Sequence, residues 1–543
     1  MDNSNSETIN IHAHRSYWKL GEPMVWLSGA ALASILAIAV ILVFVIISNG
    51  LGVFWPSPVA RISLLDGGST IGELTQRQQK RDTGAWRQQI KTGNRDFNSL
   101  DFRWIEDSDI KKITYPANII ALERMEFGNF YGFLREVNTP SGQFSKDLNS
   151  QFEKQFHFIA EEMEKLEDME DDISSLSNDM ESLRLKKQKL EYHGVASGSP
   201  ELAKVQAEHA RLQQEFEELL IKQSNEINRL RAYTATFEDI SGKTKSIPFL
   251  DIVRYYYPNT MSFFQKVGFY IEKLWELLAE EPREANTEGG LFPAIFGTVL
   301  MVIIMSFLSF PLGVITAIYM GEYAKDGVVN RMVHIAVHNL AGIPSIVYGV
   351  FGLGFFVYGI GGTIDTLFFP ERLPTPTFGS GGILWASLTL GLLTVPVVIV
   401  ATEEALSAVP KSVKEGSLAL GATKFQTLIR VILPMASPGI MTGFILAIAR
   451  AAGEVAPLMI TGVVKLAPTL ALDSSFPYLH LERKFMHLGF HIYDVGFQSP
   501  NVEAAKPMVF VTTFLLVMIV MVMSSLAIVL RNRLKERYTI TGF

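Results

Sequence analysis

The chain has 543 residues, 48% of them hydrophobic, and a mean hydropathy of +0.21. Its net charge of −7 argues against a nucleic-acid partner, and without a cysteine it can build neither a disulfide nor a thiolate metal site. The apolar residues are gathered into long runs, which points to a membrane protein.

About 20 apolar residues are needed to cross ~30 Å of hydrocarbon as a helix. Uncharged runs of that order occur at Met24–Ser48, Leu291–Met320, Met332–Ile364, Phe378–Thr402 and Pro507–Leu530. Ile440–Val464 is a sixth, interrupted only by Arg450 and Glu454. The first run is too long for a cleaved signal and lacks a small-residue site before "NGLGVFWPSP", so it reads as a retained helix. Arg15 and Lys19 precede it, Arg531, Arg533, Lys535 and Arg537 follow the last run, and Lys411, Lys414, Lys424 and Arg430 crowd the segment between the fourth and fifth. Basic residues stay on the cytoplasmic side. Residues 1–23 and 531–543 are therefore expected in the cytoplasm and 49–290 outside; Lys465, Arg483, Lys484 and Lys506 soften this asymmetry without reversing it.

The chain order that follows is a first transmembrane helix (24–48), an outside region, and a helical core (291–530). Residues 49–142 mix short alternating runs such as "DFRWI" with Gly, Asp and Asn, the pattern of a small β-rich module. From 143 to 235 the period becomes helical. Phe152, Phe156, Ile159, Met163, Leu166, Met169, Ile173, Leu176, Met180 and Leu183 form a heptad seam with one stammer. "YHGVASGSPE" breaks it, and a second seam runs through Leu202, Val205, Leu212, Phe216, Leu219, Ile227 and Leu230. Two seams about a breaker predict an antiparallel coiled-coil hairpin, and the acidic run from Glu161 to Glu181 reads as its solvated face. Residues 236–290 return to the membrane, with "RYYYP" as an aromatic cluster at the interface.

"SGKT" at 241–244 lacks the glycine that opens a phosphate loop, because Phe237 occupies that position. His480, His487 and His491 lack a persuasive further ligand and read as surface histidines; His334 and His338 read as packing or hydrogen-bonding groups in the bundle. No metal site, no cofactor site and no catalytic constellation emerges.

The segment 403–434 is more specific. Two amphipathic pieces, Val413–Leu420 and Thr423–Val431, flank Gly421, and Leu418, Leu420 and Phe425 are apolar knobs suited to a partner's groove. Its spacing resembles the cytoplasmic loop of binding-protein-dependent ABC importer permeases, EAA-x3-G-x9-I-x-LP. Here it reads Glu415-Gly416-Ser417, Gly421, Val431, Leu433 and Pro434, with "EGS" for "EAA" and Val for Ile. "IPSIVYGVFG" (343–352) and "MTGFILAIARAAGEVAPL" (441–458) are similar to the phosphate-specific branch of that family, over about 285–543.

The resemblance implies an all-α membrane bundle of six transmembrane helices in a bacterial inner membrane, both termini cytoplasmic. The inserted periplasmic region would carry the β-rich module and the coiled-coil hairpin. It implies an ATP-driven importer of inorganic phosphate, not an enzyme, with an ABC ATPase docked on 403–434, a second permease, a periplasmic phosphate-binding protein and surrounding membrane lipids. At i,i+4 on one helix face, Arg450 and Glu454 are candidates for the anion pathway, since a guanidinium fork matches phosphate oxygens. Relatives carry another arginine near the end of the fourth span, where "LTVPVVIVATEE" has none. The rival readings are another oxyanion (sulfate, molybdate or phosphonate), a buried structural ion pair, and an envelope sensor or scaffold built on the hairpin.

Overall fold

The computed structural model describes residues 22–98, 101–196, 198–325, 327–473, 476–499 and 502–538. The expected cytoplasmic ends at 1–21 and 539–543, with Arg15 and Lys19, lie outside the described residues. Among the described residues six helices are long and apolar enough to cross a membrane: S1 Pro23–Phe54, S2 Phe292–Tyr323, S3 Ser345–Phe368, S4 Ile383–Ser407, S5 Lys424–Gly453 and S6 Ala505–Glu536.

Two spans differ from expectation. The run from Met332 to Ile364 is two helices, because Pro344 disfavours helix at the residue before it. An amphipathic helix over Val328–Leu340 ends there, and S3 begins at Ser345. S5 starts sixteen residues before Ile440. Its first turn is held by a reciprocal cap, in which the Thr423 hydroxyl accepts from the Gln426 N–H (3.2 Å) and the Gln426 side chain accepts from the Thr423 N–H (2.9 Å). Leu428, Ile432, Ala436 and Ile440, four apart on one face, then bury against Ala405 and Leu406 of S4. At its other end S5 stops at Gly453, well before Val464.

Small residues set the helix spacing. A Cβ added at Gly439 or Gly443 of S5 would come within 2.6 Å of the Ala405 or Ala401 methyl of S4, so a small-xxx-small row on each helix lets the two backbones meet. S1 is exposed along almost its whole length and meets S6 closely at Gly50, against the Phe510 carbonyl.

Among the described residues the inserted region holds two large antiparallel sheets, besides a short pairing of Pro282–Arg283 with Glu288–Gly289. The first contains β1 Val59–Leu64, β2 Ser69–Gln79, β3 Trp86–Lys91, β4 Phe102–Glu106 and β5 Ile110–Thr114, in the order β4-β3-β2-β1-β5. The second contains β6 Ile120–Arg124, β7 Phe130–Thr139, β8 Gly142–Phe144, β9 Thr234–Glu238, β10 Thr244–Pro248 and β11 Ile252–Tyr256, in the order β10-β9-β7-β6-β11 with β8 also on β7. Between β8 and β9 the chain leaves the sheet as two long helices, α1 Leu148–Tyr192 and α2 Pro200–Arg231. The Ser199 hydroxyl caps α2 by accepting from the Leu202 N–H, with Pro200 in the first turn. Glu162 of α1 pairs with Arg229 of α2, and the acidic run of α1 is largely exposed. At the root, the Phe152 ring meets Phe249 and Tyr255 at 5.0 and 4.9 Å between centroids, so the helices and the second sheet share one core. Further out, α1 passes over the Pro370–Arg372 turn between S3 and S4, with Arg372 in electrostatic reach of Glu181.

The boundaries at 142/143 and 235/236 therefore need correction. Strands β9 to β11 complete the sheet begun by β6 and β7, so the module is built from both sides of the helical pair. "RYYYP" is not an interface belt: Arg254–Tyr256 pairs with β6, and Tyr256 packs on Val59, Ile71 and Tyr131. Pairing partners this far apart in sequence leave no local signal. The segment that leads on towards S2 is the helix α3 Phe263–Ala279, opened by a Ser262–Gln265 capping box.

The three histidines of the loop between S5 and S6 are not on the surface; all are buried. His480 sits between the Asp473 and Glu482 carboxylates, at 3.1 and 3.3 Å. His487 caps a short helix, its Nδ1 accepting from the Gly489 N–H at 3.0 Å, and His491 Nδ1 meets the Thr512 hydroxyl at 3.1 Å. Burial pushes the His487 imidazole down to about 3. His491 falls to about 4, burial outweighing the upward pull of Asp494 and the Asn286 backbone. An unfolded histidine titrates near 6.5. Below that pH the unfolded chain binds more protons than the folded one, so stability drops as pH falls from about 6.5 until the folded values are reached. Each histidine costs about 1.4 kcal/mol per pH unit across that window. The detergent-solubilised protein should melt at a clearly lower temperature at pH 4.5 than at pH 7.5. His487→Asn, which keeps a capping acceptor without the titration, should flatten the dependence; an unchanged slope would contradict the assignment.

Candidate transport pathway and docking segment

The segment after S4 folds as a helix (Lys411–Ala419), a turn and the capped start of S5. Gly421 sits in the turn at φ +86°, a left-handed conformation that glycine alone adopts without strain. Ser417 and Thr427 hydroxyls meet across the turn at 2.9 Å, and Lys414 pairs with Glu322 at the end of S2, fixing the segment to the bundle. Leu433 and Pro434 continue into S5, partly buried like Val431. Glu415 is exposed, as is Leu418. Leu420 is 91% and Phe425 63% exposed, so two large apolar side chains stand in solvent either side of the Gly421 turn.

Arg450 and Glu454 are brought together, but not on one continuous helix. S5 ends at Gly453, and Glu454 is extended at φ −82°, ψ 134°. The chain restarts as a short helix over Ala456–Thr461 with Pro457 in its first turn. The cause lies in "GEVAP": glycine disfavours helix, and Pro457 cannot donate to a preceding turn. Arg450 Nε lies 3.8 Å from Glu454 Oε1, the side chains 34% and 23% exposed. This is an ion pair without a hydrogen bond, and among the described residues the guanidinium has no other charged or hydrogen-bonding partner.

The break lies within the thickness of the spans. Gly349 of S3 packs on Pro457, and one turn along, Gly352 packs on Thr389, six residues inside S4. The Gly382 N–H also donates to the Thr461 carbonyl at 3.0 Å, so at 1.5 Å per residue the six-residue restart begins about 9 Å from the end of S4 nearest the 369–382 loop. The buried neighbours Ile448, Ala451 and Ala452 belong to the core shared by S2, S3 and S4. Sequence reasoning placed the charges but missed the break, although Gly453 and Pro457 signal it.

The sequence pattern of the family described as "Binding-protein-dependent transport system inner membrane component" matches residues 309–538. Over 225 residues the chain is 33% identical to the "Probable ABC transporter permease protein YqgI" of Bacillus subtilis (strain 168), spanning 40% of this chain and 70% of that protein. The chain belongs to this family of ABC permeases. The permease is also 37% identical over 172 residues to the "Phosphate transport system permease protein PstA 1" of Mycobacterium tuberculosis (strain CDC 1551 / Oshkosh), covering 32% of this chain and 51% of that protein. It thus spans about half the length of that PstA relative, and the likeness makes it a PstA-like, multi-pass inner-membrane permease. Among solved structures it is similar to an inward facing conformation of the MetNI methionine ABC transporter, at 18% identity and a TM-score of 0.33, over 46% of this chain and 96% of that one.

Proposed function

We propose that the permease is one of two transmembrane subunits of an ATP-driven importer of inorganic phosphate. The carrying observation is the Arg450 guanidinium, 3.8 Å from Glu454 where S5 breaks at Gly453, with no hydrogen-bonding partner among the described residues. Discontinuous helices are where many transporters bind polar cargo, and the PstA relative's name supplies the anion. Glu454 holds the arginine while the pathway is empty and competes with the anion during release. The permease carries out no chemistry: a cytoplasmic ABC ATPase docks on 403–434 through Leu418, Leu420 and Phe425, with Glu415, Gly421, Val431, Leu433 and Pro434 shaping the segment. A second permease completes the pore and supplies any further cation, and a periplasmic phosphate-binding protein delivers the substrate. In this reading both termini are cytoplasmic, 49–290 is periplasmic, and the α1–α2 pair is an antiparallel coiled-coil hairpin accessory to transport.

The test is uptake by the reconstituted four-component complex in proteoliposomes. ATP-dependent accumulation of radiolabelled phosphate should resist a tenfold excess of sulfate, molybdate or a phosphonate. Transport of one of those anions in preference to phosphate would overturn the substrate and leave the pathway residue in place.

A further inference from the structure

We propose that the outward face of α3 is a lipid-binding surface, lying in the headgroup–acyl boundary of the leaflet on the module's side and seating the β-rich module on the membrane. Phe264, Ile271, Trp275 and Leu278 fall at spacings of seven, four and three, so they share one face, and all four are exposed. Phe264 is 84% and Trp275 70% exposed, far more than aromatic side chains usually present to water.

The helix cannot roll to hide this face. Its opposite side is pinned by charge: Glu276, buried, pairs with Lys273 and Arg254 at 2.9 Å and with Arg283, while Lys273 also reaches Glu123 at 2.6 Å. Burial alone would raise the Glu276 carboxyl, but Lys273, Arg283 and Arg254 outweigh it and hold the group at about 2.

The depth of α3 is fixed by the spans. Leu277 packs with Leu291 and Ala294 at the start of S2 and with Met508 and Val511 of S6. The Leu291 N–H donates to the Leu277 carbonyl at 2.8 Å. At the end of S1, the Trp55 ring lies 6.0 Å from both Phe263 and Tyr270 of α3. The helix therefore lies level with the ends of three spans, where hydrocarbon gives way to headgroups. An apolar, aromatic face held at that level, continuous with the exposed flank of S1, meets lipid.

The permease has no cysteine, so single cysteines report cleanly. Phe264→Cys, Ile271→Cys and Trp275→Cys, with Ile221→Cys on α2 as the water-exposed control, would be labelled with an environment-sensitive fluorophore in the assembled complex in phospholipid nanodiscs. Lipids carrying a nitroxide high on the acyl chain should quench the three α3 labels at least twofold more than the label at 221, with blue-shifted emission. Quenching equal to the control, with water-like emission, would overturn the proposal. Blue-shifted emission without lipid quenching would overturn it too, because the face would then be covered by a protein subunit. Three independent positions keep the result readable if one substitution disturbs folding.

Discussion

Uptake should collapse in the Arg450→Leu, Glu454→Leu double variant while the complex still assembles. A fully buried ion pair that loses one partner costs about 3–5 kcal/mol, and a merely structural pair would reveal itself as lost assembly in each single variant. The pair here is 3.8 Å apart, without a hydrogen bond and partly exposed, which puts its own contribution nearer the ~0–1 kcal/mol of a solvent-exposed pair. Losing a charge-assisted contact to the anion would cost about 3 kcal/mol, or roughly 100-fold in rate. Arg450→Lys keeps the charge but loses the fork, so transport should fall by an intermediate factor. The deciding measurement is phosphate uptake normalised to assembled complex; full uptake by the double variant would exclude an anion-pathway role.

Gly421→Pro should uncouple the permease from its ATPase. At φ +86° the turn lies far outside the proline range near −65°, so the substitution must rebuild the junction between Lys411–Ala419 and S5. Leu420 and Phe425 would then no longer project together. The bundle should still insert, because the junction lies outside the packed spans. Transport and co-purification of the ATPase should both drop at least tenfold, which corresponds to about 1.4 kcal/mol or more. Gly421→Ala, which costs only about 1–2 kcal/mol in a left-handed conformation, should retain part of both. Normal ATPase recovery with normal uptake in the proline variant would remove 403–434 as the docking element.

Which parts of this molecule could be read from its sequence follows from how local the governing physics is. The spans were legible because apolar length is a local property; even the turn between Lys411–Ala419 and S5 showed itself, through Gly421. The limits of S3 and S5 were not, although Pro344, Gly453 and Pro457 were in view, since a hydropathy run passes over a helix break without registering it. The second sheet defeated the reading for another reason: β7 pairs with β9 across the whole of α1 and α2, and nothing near Thr234 announces a partner near Asn138. The loop histidines failed similarly, because what buries His487 and His491 is S2 and S6 packing around them. The face of α3 was available to a periodicity search between 262 and 279, and the aromatic cluster next to it drew the interface assignment instead.

Val137 of β7 is bracketed by Phe144 on one side and Ala235 on the other. Two strand spacings separate those residues, about 10 Å, so the long helical pair leaves and rejoins its host at nearly the same place. The sheet is blind to what lies between. Residues added in equal number to both helices would lengthen the pair by about 1.5 Å each and leave every strand register intact. The distance from the module to whatever meets the far end is then an adjustable span, a ruler whose graduations lineage can add or remove while the transport core stays fixed.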